Sequence, residues 1–572
     1  MINIGILGGG PAALFLMKHL IHINDTHISI TIIEKTNQLG AGMPYSTQGA
    51  CTEHVTNVSD NEIPELVTPI HDWIMEAPEQ LLRQYNINEH NFNEYKVLPR
   101  LFFGQYLSAQ FDKLLTQAKE NGIAVQVLYN TTALNIFDDT VSGKVKVETS
   151  KKELAFDRVI ICTGHNWPTR YEGEVTGWFD SPYPPSKLQG LNNYSVAVRG
   201  ASLSAIDVIK TLARNNGAFS KNENGKLLYH LNEGSENFKI VLHSLYGLMP
   251  AVRFHLDDTH LSPEEALTFE EIQQLRNEND GYVPLDYLFE QKFKAPLKIS
   301  SPDFYEKIRH MNMEAFVQHM LALRERLDAF QLLKAEYTEA EKSIKRKASV
   351  FWKEQLGSLS YIINYPAKHF CAEDMLRHKK ILMPLISIII AYIPQSSCNE
   401  LLALYDAGIL SLTAVDPSSN VVPGPDGGAE YTHTDDEGIK HINHYNLFVD
   451  AIGQPAFDYG NFIFGGLIDS GTISPARLKF KDAKAGEAEK EKANDKVERT
   501  DADTYYLKVP GISINDHFQV MDRYGVYSER TYIMAVPYIA GLNPDFSGLD
   551  FCEAASAAIV KSLLPRFAAR QD

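Results

Sequence analysis

Residues 2–7 (INIGIL) form a short apolar run that stops at Gly8-Gly9-Gly10. Residues 11–23 (PAALFLMKHLIHI) predict a helix with proline in its first turn. Residues 28–33 (ISITII) are mostly β-branched and nearly all apolar, the pattern of a buried strand, and Glu34 closes it. Strand, glycine turn, helix, strand and acid in this order make a βαβ unit. A helix is predicted over Phe103–Asn121, with strands near Val125–Leu128 and Val145–Glu148. Another buried strand, Asp157–Thr163, ends at Gly164. A second unit opens with Ser195–Gly200, then a helix from Ser204 to Asn215 and a strand over Lys239–Ser244.

From Pro263 to Ile362 the pattern is helical and charged. Phe316, Met320, Leu323, Leu327 and Phe330 alternate in steps of four and three, a heptad seam too short for a coiled coil, so a helix packed on its own protein is expected. The α/β character returns with a helix at Leu401–Leu404, a strand at Ile409–Val415 and a strand within Lys440–Gly453. Residues 479–503 carry both charges and few apolar side chains, which predicts a mobile solvated loop or an exposed helix. Asp550–Leu564 reads as a closing helix.

Composition narrows the function classes. The 572 residues carry a net charge of −18, which disfavours nucleic acid and anionic membranes as partners. Five cysteines are widely spaced without a C-x-x-C, which fits a reducing cytosol and excludes a disulfide framework. The longest apolar stretch, Ile381–Pro394, contains a proline and is too short for a bilayer. The start Met1-Ile2-Asn3-Ile4 has no basic leader, so a cytoplasmic location is expected.

The glycine cluster carries the first chemistry. In Gly8-Gly9-Gly10-Pro11-Ala12-Ala13, Gly8 supplies a tight turn, Gly10 leaves room for a pyrophosphate, and Ala13 lets helix and strand approach. The helix N-terminus faces the phosphates. Glu34 follows about 20 residues later, where a carboxylate accepts from a ribose hydroxyl. The second cluster, Gly200-Ala201-Ser202-Leu203-Ser204-Ala205, replaces the middle glycine by Ser202. It reads either as a nicotinamide site or as a βαβ unit without a nucleotide. His433, His441 and His444 near Asp435 are read as hairpin residues, and no metal is expected. Cys162 is read as a buried, inert thiol.

Several segments together resemble a known family. They are Gly8–Ala13, Leu39–Ser46, His54–Val58, Leu98–Leu107, Cys162–Pro168 and Val198–Asp207. In order and spacing the chain resembles FAD/NAD(P)-binding flavoproteins with two dinucleotide units. More narrowly it is similar to the family containing FAD-dependent urate hydroxylases and, more distantly, the N-hydroxylating amine and amino-acid monooxygenases. The resemblance implies an α/β fold of two Rossmann-like units, one for FAD and one for NAD(P), with a largely helical insertion. The expected division is residues 1–190 for the first part of the FAD unit, 191–254 with 381–453 for the NAD(P)-like unit, 255–380 for the insertion, and 454–572 for a return to the FAD unit. It implies FAD held by Gly8, Gly10, Pro11, Ala12, Ala13, Glu34 and Lys35. Gly42, Met43, Pro44, Tyr45, Asn57 and Arg100 would approach the flavin, and Thr163 and Gly164 would close over it. Gly200, Ser202, Ser204 and Ala205 would meet NAD(P)H. The implied activity is hydroxylation of a small molecule, an amine or amino-acid nitrogen or a heterocycle, with NAD(P)H and O2. The alternatives are a flavin reductase or dehydrogenase without oxygenation, and a non-catalytic FAD-binding regulatory or scaffold protein. Three departures from the family stand out: Ser202; the lack of an arginine in His243-Ser244-Leu245-Tyr246-Gly247, which leaves NADH or NADPH open; and residues 255–380 and 479–503, which have no counterpart in it. No catalytic side chain, substrate or oligomeric state follows from the sequence.

Overall fold

The computed structural model describes residues 1–88, 90–245, 247–256, 266–435, 437–454, 457, 459–500, 503–544 and 548–568. Strands Ile2–Leu7, Ile28–Ile33, Ala124–Leu128, Arg158–Ile161 and Tyr527–Ile533 lie parallel in one sheet, with Gln519–Met521 as an antiparallel edge. Ile4, Ile6, Ile32 and Ile160 are wholly buried because both faces are covered. Helix Pro11–His22 packs between Arg100–Glu120 and the closing helix Leu549–Ala568. An antiparallel sheet of Ala133–Asp139, Lys144–Thr149 and Glu153–Phe156 meets the first sheet closely enough that a Cβ on Gly5 would strike the Phe156 ring at 2.8 Å.

A second parallel sheet contains Trp178–Phe179, Leu447–Asp450, Ser195–Arg199, Lys239–Leu245 and Leu410–Val415. Helix Leu203–Asn216 follows its central strand. An antiparallel sheet of Asn420–Pro423, Ala429–Thr434 and Lys440–Tyr445 precedes its strand Leu447–Asp450. The two units therefore repeat one plan: βαβ, a further parallel strand, a three-stranded antiparallel sheet, and a returning parallel strand.

The strand expected within Lys440–Gly453 is Leu447–Asp450, and a second strand, Lys440–Tyr445, precedes it. Lys440–Tyr445 alternates exposed and half-buried positions in the antiparallel sheet, whereas Leu447–Val449 is buried without alternation in the parallel one. The heptad seam does not continue either. Asp328 caps a new helix, Ala329–Arg346, by accepting from the Phe330 and Gln331 amides, so Met313–Arg324 ends before it. Phe316, Met320 and Phe330 are buried, while Leu323 and Leu327 are exposed. Segment 479–503 is not an unstructured loop: Ala483–Glu491 is a helix, and Gly486 lets it sit on Tyr505 where a Cβ would come within 2.4 Å.

Helices fill the crossover between the parallel strands Lys239–Leu245 and Leu410–Val415. Within them lie two π-helical turns, Phe289–Lys294 and His378–Leu382. His378 is buried in the second, and neither ring nitrogen has a protein partner. Burial, with the nearby Lys379 charge, pushes its pKa down to about 4. The imidazole is thus neutral in the fold, and its contribution to stability falls as pH drops below the ordinary histidine range toward that value. Replacing both orphan nitrogens by carbon removes this cost. His378→Leu is expected to stabilise the protein by about 1–2 kcal/mol at neutral pH and to flatten the loss between pH 7 and 5, measured by urea unfolding at both pH values.

Candidate functional site

The first glycine turn is held by its own acid. Glu34 ends its strand with one carboxylate oxygen accepting from the Gly9 amide at 2.7 Å and the other from the Thr36 amide and hydroxyl, each at 2.8 Å. The carboxylate is therefore a brace of the loop as well as a group with acceptor capacity left for a sugar hydroxyl. Gly8 has φ +101°, and a Cβ there would lie 2.7 Å from the Cys162 carbonyl oxygen. Pro11 starts the helix, Ala12 is half-buried, and Ala13 is fully buried against the sheet. Lys35 is exposed.

A second loop runs against the first. The Gly40 amide donates to the Gly9 carbonyl at 2.7 Å. A Cβ on Gly42 would lie 2.9 Å from Pro11 Cδ and 3.3 Å from the Gly10 Cα. Gly10 and Gly42 thus pack backbone on backbone, with no room for a side chain between them. Bare glycine backbone beside a helix N-terminus fits a pyrophosphate lying along it. Met43, Pro44 and Tyr45 continue this loop, and the Tyr45 ring meets Phe103 edge-on at 5.0 Å. Gly104 has no Cβ to strike the Tyr45 carbonyl, which lies at 2.0 Å from that position. Burial pushes the Tyr45 hydroxyl up to about 12.

Arg100 is committed elsewhere. Its guanidinium bonds both oxygens of Asp207, at 2.7 and 3.1 Å, and the Val55 carbonyl at 3.2 Å. Asp207 lies on helix Leu203–Asn216 of the second unit and also accepts from the Tyr183 hydroxyl at 2.8 Å. Arg100, expected on the flavin side, forms an ion pair between the two units. Buried as it is, Asp207 is kept below the ordinary carboxylate range by Arg100, with His54 and the hydrogen bonds of Arg100 and Tyr183 adding to the effect. His54 is wholly buried behind the pair. Its Nδ1 accepts from the Cys51 amide at 3.0 Å, so the proton sits on Nε2, which lies 3.1 Å from the Asp207 carbonyl and from the Thr211 hydroxyl.

A reciprocal contact runs the other way. Arg253, on the chain leaving the second unit, is buried and donates to the Ser59 hydroxyl at 2.7 Å, to Glu62 and to the Asn57 carbonyl. Strand Val55–Ser59 is therefore gripped at both ends, leaving the Asn57 side chain exposed.

The chain crosses between units twice, and the crossings are tied. His165 Nδ1 and Gln454 Oε1 are 2.9 Å apart. Thr163 and Gly164 sit at the first crossing, with Gly164 exposed. A Cβ at Gly200, φ +105°, would lie 3.0 Å from the Ala451 carbonyl oxygen of the second crossing. Ser202 is the exposed N-cap of helix Leu203–Asn216 and makes no side-chain cap; Ser204 is half-buried and Ala205 buried. In the turn after Lys239–Leu245, Tyr246 lies outside the described residues.

Sequence reasoning passed over Asp207, Lys210, Tyr183 and Arg253 as working residues. A signal existed: Leu203, Ile206, Asp207 and Lys210 form one stripe of the helix, and two charges on an inward stripe call for buried partners. His433 and His441 face each other across the hairpin with rings 5.1 Å apart, and among the described residues no group of three or more His, Cys, Asp or Glu is placed to hold a metal ion. None of the five cysteines is bonded, and no helix of the described residues is long and apolar enough to cross a membrane.

Residues 5–166 match the family model described as FAD-NAD(P)-binding, the region that contains the Gly10–Gly42 contact. The N-terminal unit is an FAD-NAD(P)-binding domain. Residues 268–390, within the helical crossover, match the YdhS-like middle domain. The uncharacterized protein YdhS of Escherichia coli (strain K12) is 26% identical over 475 residues, 82% of this chain and 86% of its own length. Among solved structures, an ornithine N-hydroxylase of Kutzneria sp. 744 is 12% identical, covering 99% of this chain and 100% of its own, with a TM-score of 0.46. The bacillithiol disulfide reductase Bdr of Staphylococcus aureus is 11% identical over 99% of each chain, at 0.43. The cadaverine monooxygenase DfoA of Erwinia amylovora is 12% identical over 99% of this chain and 94% of its own, at 0.45.

The ion pair gives a direct test. Asp207→Asn leaves the Arg100 cation buried without its charge partner and is expected to cost about 3 kcal/mol in chemical unfolding at pH 7. Because the pair holds Asp207 low, the wild type keeps this stability above the ordinary carboxylate range and loses it as pH falls below; the difference between wild type and variant should shrink toward pH 3.

Proposed function

We propose that this chain is an FAD-dependent monooxygenase that uses NAD(P)H and O2 to hydroxylate a small molecule. The observation that carries the reading is the bare backbone of Gly10 and Gly42, packed together beside the helix N-terminus in a unit whose plan a second unit repeats. Gly8, Gly10 and Ala13 would take the pyrophosphate of FAD, Glu34 its ribose, and Gly42–Tyr45 would lie along the flavin side. FAD, when bound, supplies two-electron transfer from a nicotinamide and the activation of dioxygen.

The protein's own residues hold and enclose. The Glu34 carboxylate fixes the Gly9 amide and so the angle at which the loop meets phosphate. Arg100–Asp207 and Arg253–Glu62 keep the second unit against strand Val55–Ser59, and so fix Gly200 and Ser202 relative to the first glycine turn. Ser202, in place of a glycine, offers a hydroxyl to a phosphate at the N-terminus of its helix. Burial pushes the Cys162 thiol up, and that of Cys552 up to about 12, away from the reactive thiolate form. That favours dioxygen over a thiol relay as the electron acceptor.

Purified protein is expected to show flavin absorbance, or to gain it with added FAD, and to consume O2 while oxidising NADH or NADPH. Nicotinamide oxidation without O2 uptake would replace this reading by a reductase. A protein that stays colourless with excess FAD would remove it. Gly42→Val and Gly10→Val should each abolish flavin binding, since either side chain would force the two loops apart; a Gly42→Val protein that keeps its flavin would contradict this placement.

A further inference from the structure

Where the two units and the helical crossover meet there is a cavity of ≈30 Å³. Val55, Asn57 and Arg100 line it from the first unit. The stripe Leu203, Ile206, Asp207 and Lys210 lines it from the second, and Pro394 and Ser397 from the end of the crossover. At about 10–15 Å³ per water this is room for two waters or for the two oxygens of one carboxylate.

The hydrogen-bonding demands around it are unevenly met. Asp207 gives both oxygens to Arg100 and one also to Tyr183. Glu400 is held in a fork by Arg214, at 2.8 and 3.1 Å. Glu53 accepts from the Thr211 hydroxyl at 2.8 Å. Lys210 is 4% exposed, with its ammonium 3.2 Å from the Ser397 hydroxyl and 3.7 Å from Glu400. An ammonium has three protons to donate, and this one meets one close acceptor, the Ser397 hydroxyl, with the Glu400 carboxylate farther off. Burial lowers the Lys210 pKa; Glu400 opposes that effect most, Asp207 and Glu53 oppose it as well, and Arg214 adds to it. A buried ammonium with donors to spare gains from an oxygen acceptor placed in the adjoining space.

We propose that this cavity is a carboxylate subsite, in which the Lys210 ammonium and the Ser397 hydroxyl receive the carboxylate of a small organic acid. Asn57 lines the same cavity and stands exposed on the flavin-side strand, so the rest of such a ligand would extend toward the proposed flavin. Naming the ligand a substrate rests on the monooxygenase reading; the existence of the subsite does not. The crossover contributes Ser397 and Pro394, so the helical insertion would take part in choosing the ligand.

Sodium formate is the smallest probe of this chemistry. Full-length protein is melted in increasing formate at constant ionic strength, balanced with sodium chloride. The expected result is a saturable rise in Tm above the chloride baseline. Lys210→Met should weaken the apparent formate affinity by about tenfold or more, the size of a lost charged hydrogen bond. Ser397→Val, which keeps the cation and fills the space, should lose the response as well. A Tm indifferent to the exchange of chloride for formate would overturn the proposal, as would either variant responding like wild type. A colourless protein would count against the flavin and leave this test standing.

Discussion

The Arg100–Asp207 pair decides how the two units meet. Arg100 opens the long helix of the FAD-NAD(P)-binding domain, and Asp207 lies on the first helix of the second unit. Neither charge could be buried alone, so each side chain requires the other unit in place. The pair also fixes its surroundings. Asp207 orients Tyr183, its backbone meets His54, and the Arg100 guanidinium reaches the carbonyl of Val55 at the start of the Asn57 strand. Arg253 grips the other end of that strand from the opposite direction. Two glycine turns that belong to separate sheets are thereby held in one arrangement.

Much of this fold was legible in the sequence because its parallel strands are buried on both faces. Val159–Ile161 reads as an unbroken apolar run and Ile28–Ile33 as a nearly unbroken one, and Gly8 and Gly200 mark turns that need positive φ. The close approach of Gly10 and Gly42 needs residues without a side chain, and glycine at both positions was the visible sign of it. What was not legible is long-range pairing. Arg100 after a proline reads as a surface charge, and only the fold brings it to a carboxylate more than a hundred residues away. Local periodicity misled where one run served two sheets: Lys440–Tyr445 alternates and Leu447–Val449 does not, and that change of period was the available clue. In the 316–330 seam, Asp328 carried the opposing signal of a helix cap.

The helical crossover is more than a long connection. It leaves the second sheet, touches the first unit through Arg253, and reaches it again where Lys368 and His369 meet Asp516. Asp516 is held well below the ordinary carboxylate range, against the effect of burial, chiefly by its hydrogen bond to His369 and by the Lys368 charge. The crossover then returns through Pro394 and Ser397, beside Asn57 and the Arg100–Asp207 pair. An insertion tied at these points stiffens the relation between the units and also supplies wall to the space between them. That links the segment least like the wider family to the part of the molecule where a ligand would be chosen.

One buried ion pair couples the two units, and a double-mutant cycle on Arg100 and Asp207 measures that coupling. Arg100→Met and Asp207→Leu each strand a buried charge, whereas the double variant strands neither. The double variant is expected to be more stable than the sum of the single losses allows, with a coupling of about 2 kcal/mol by chemical unfolding. Strictly additive losses would contradict it.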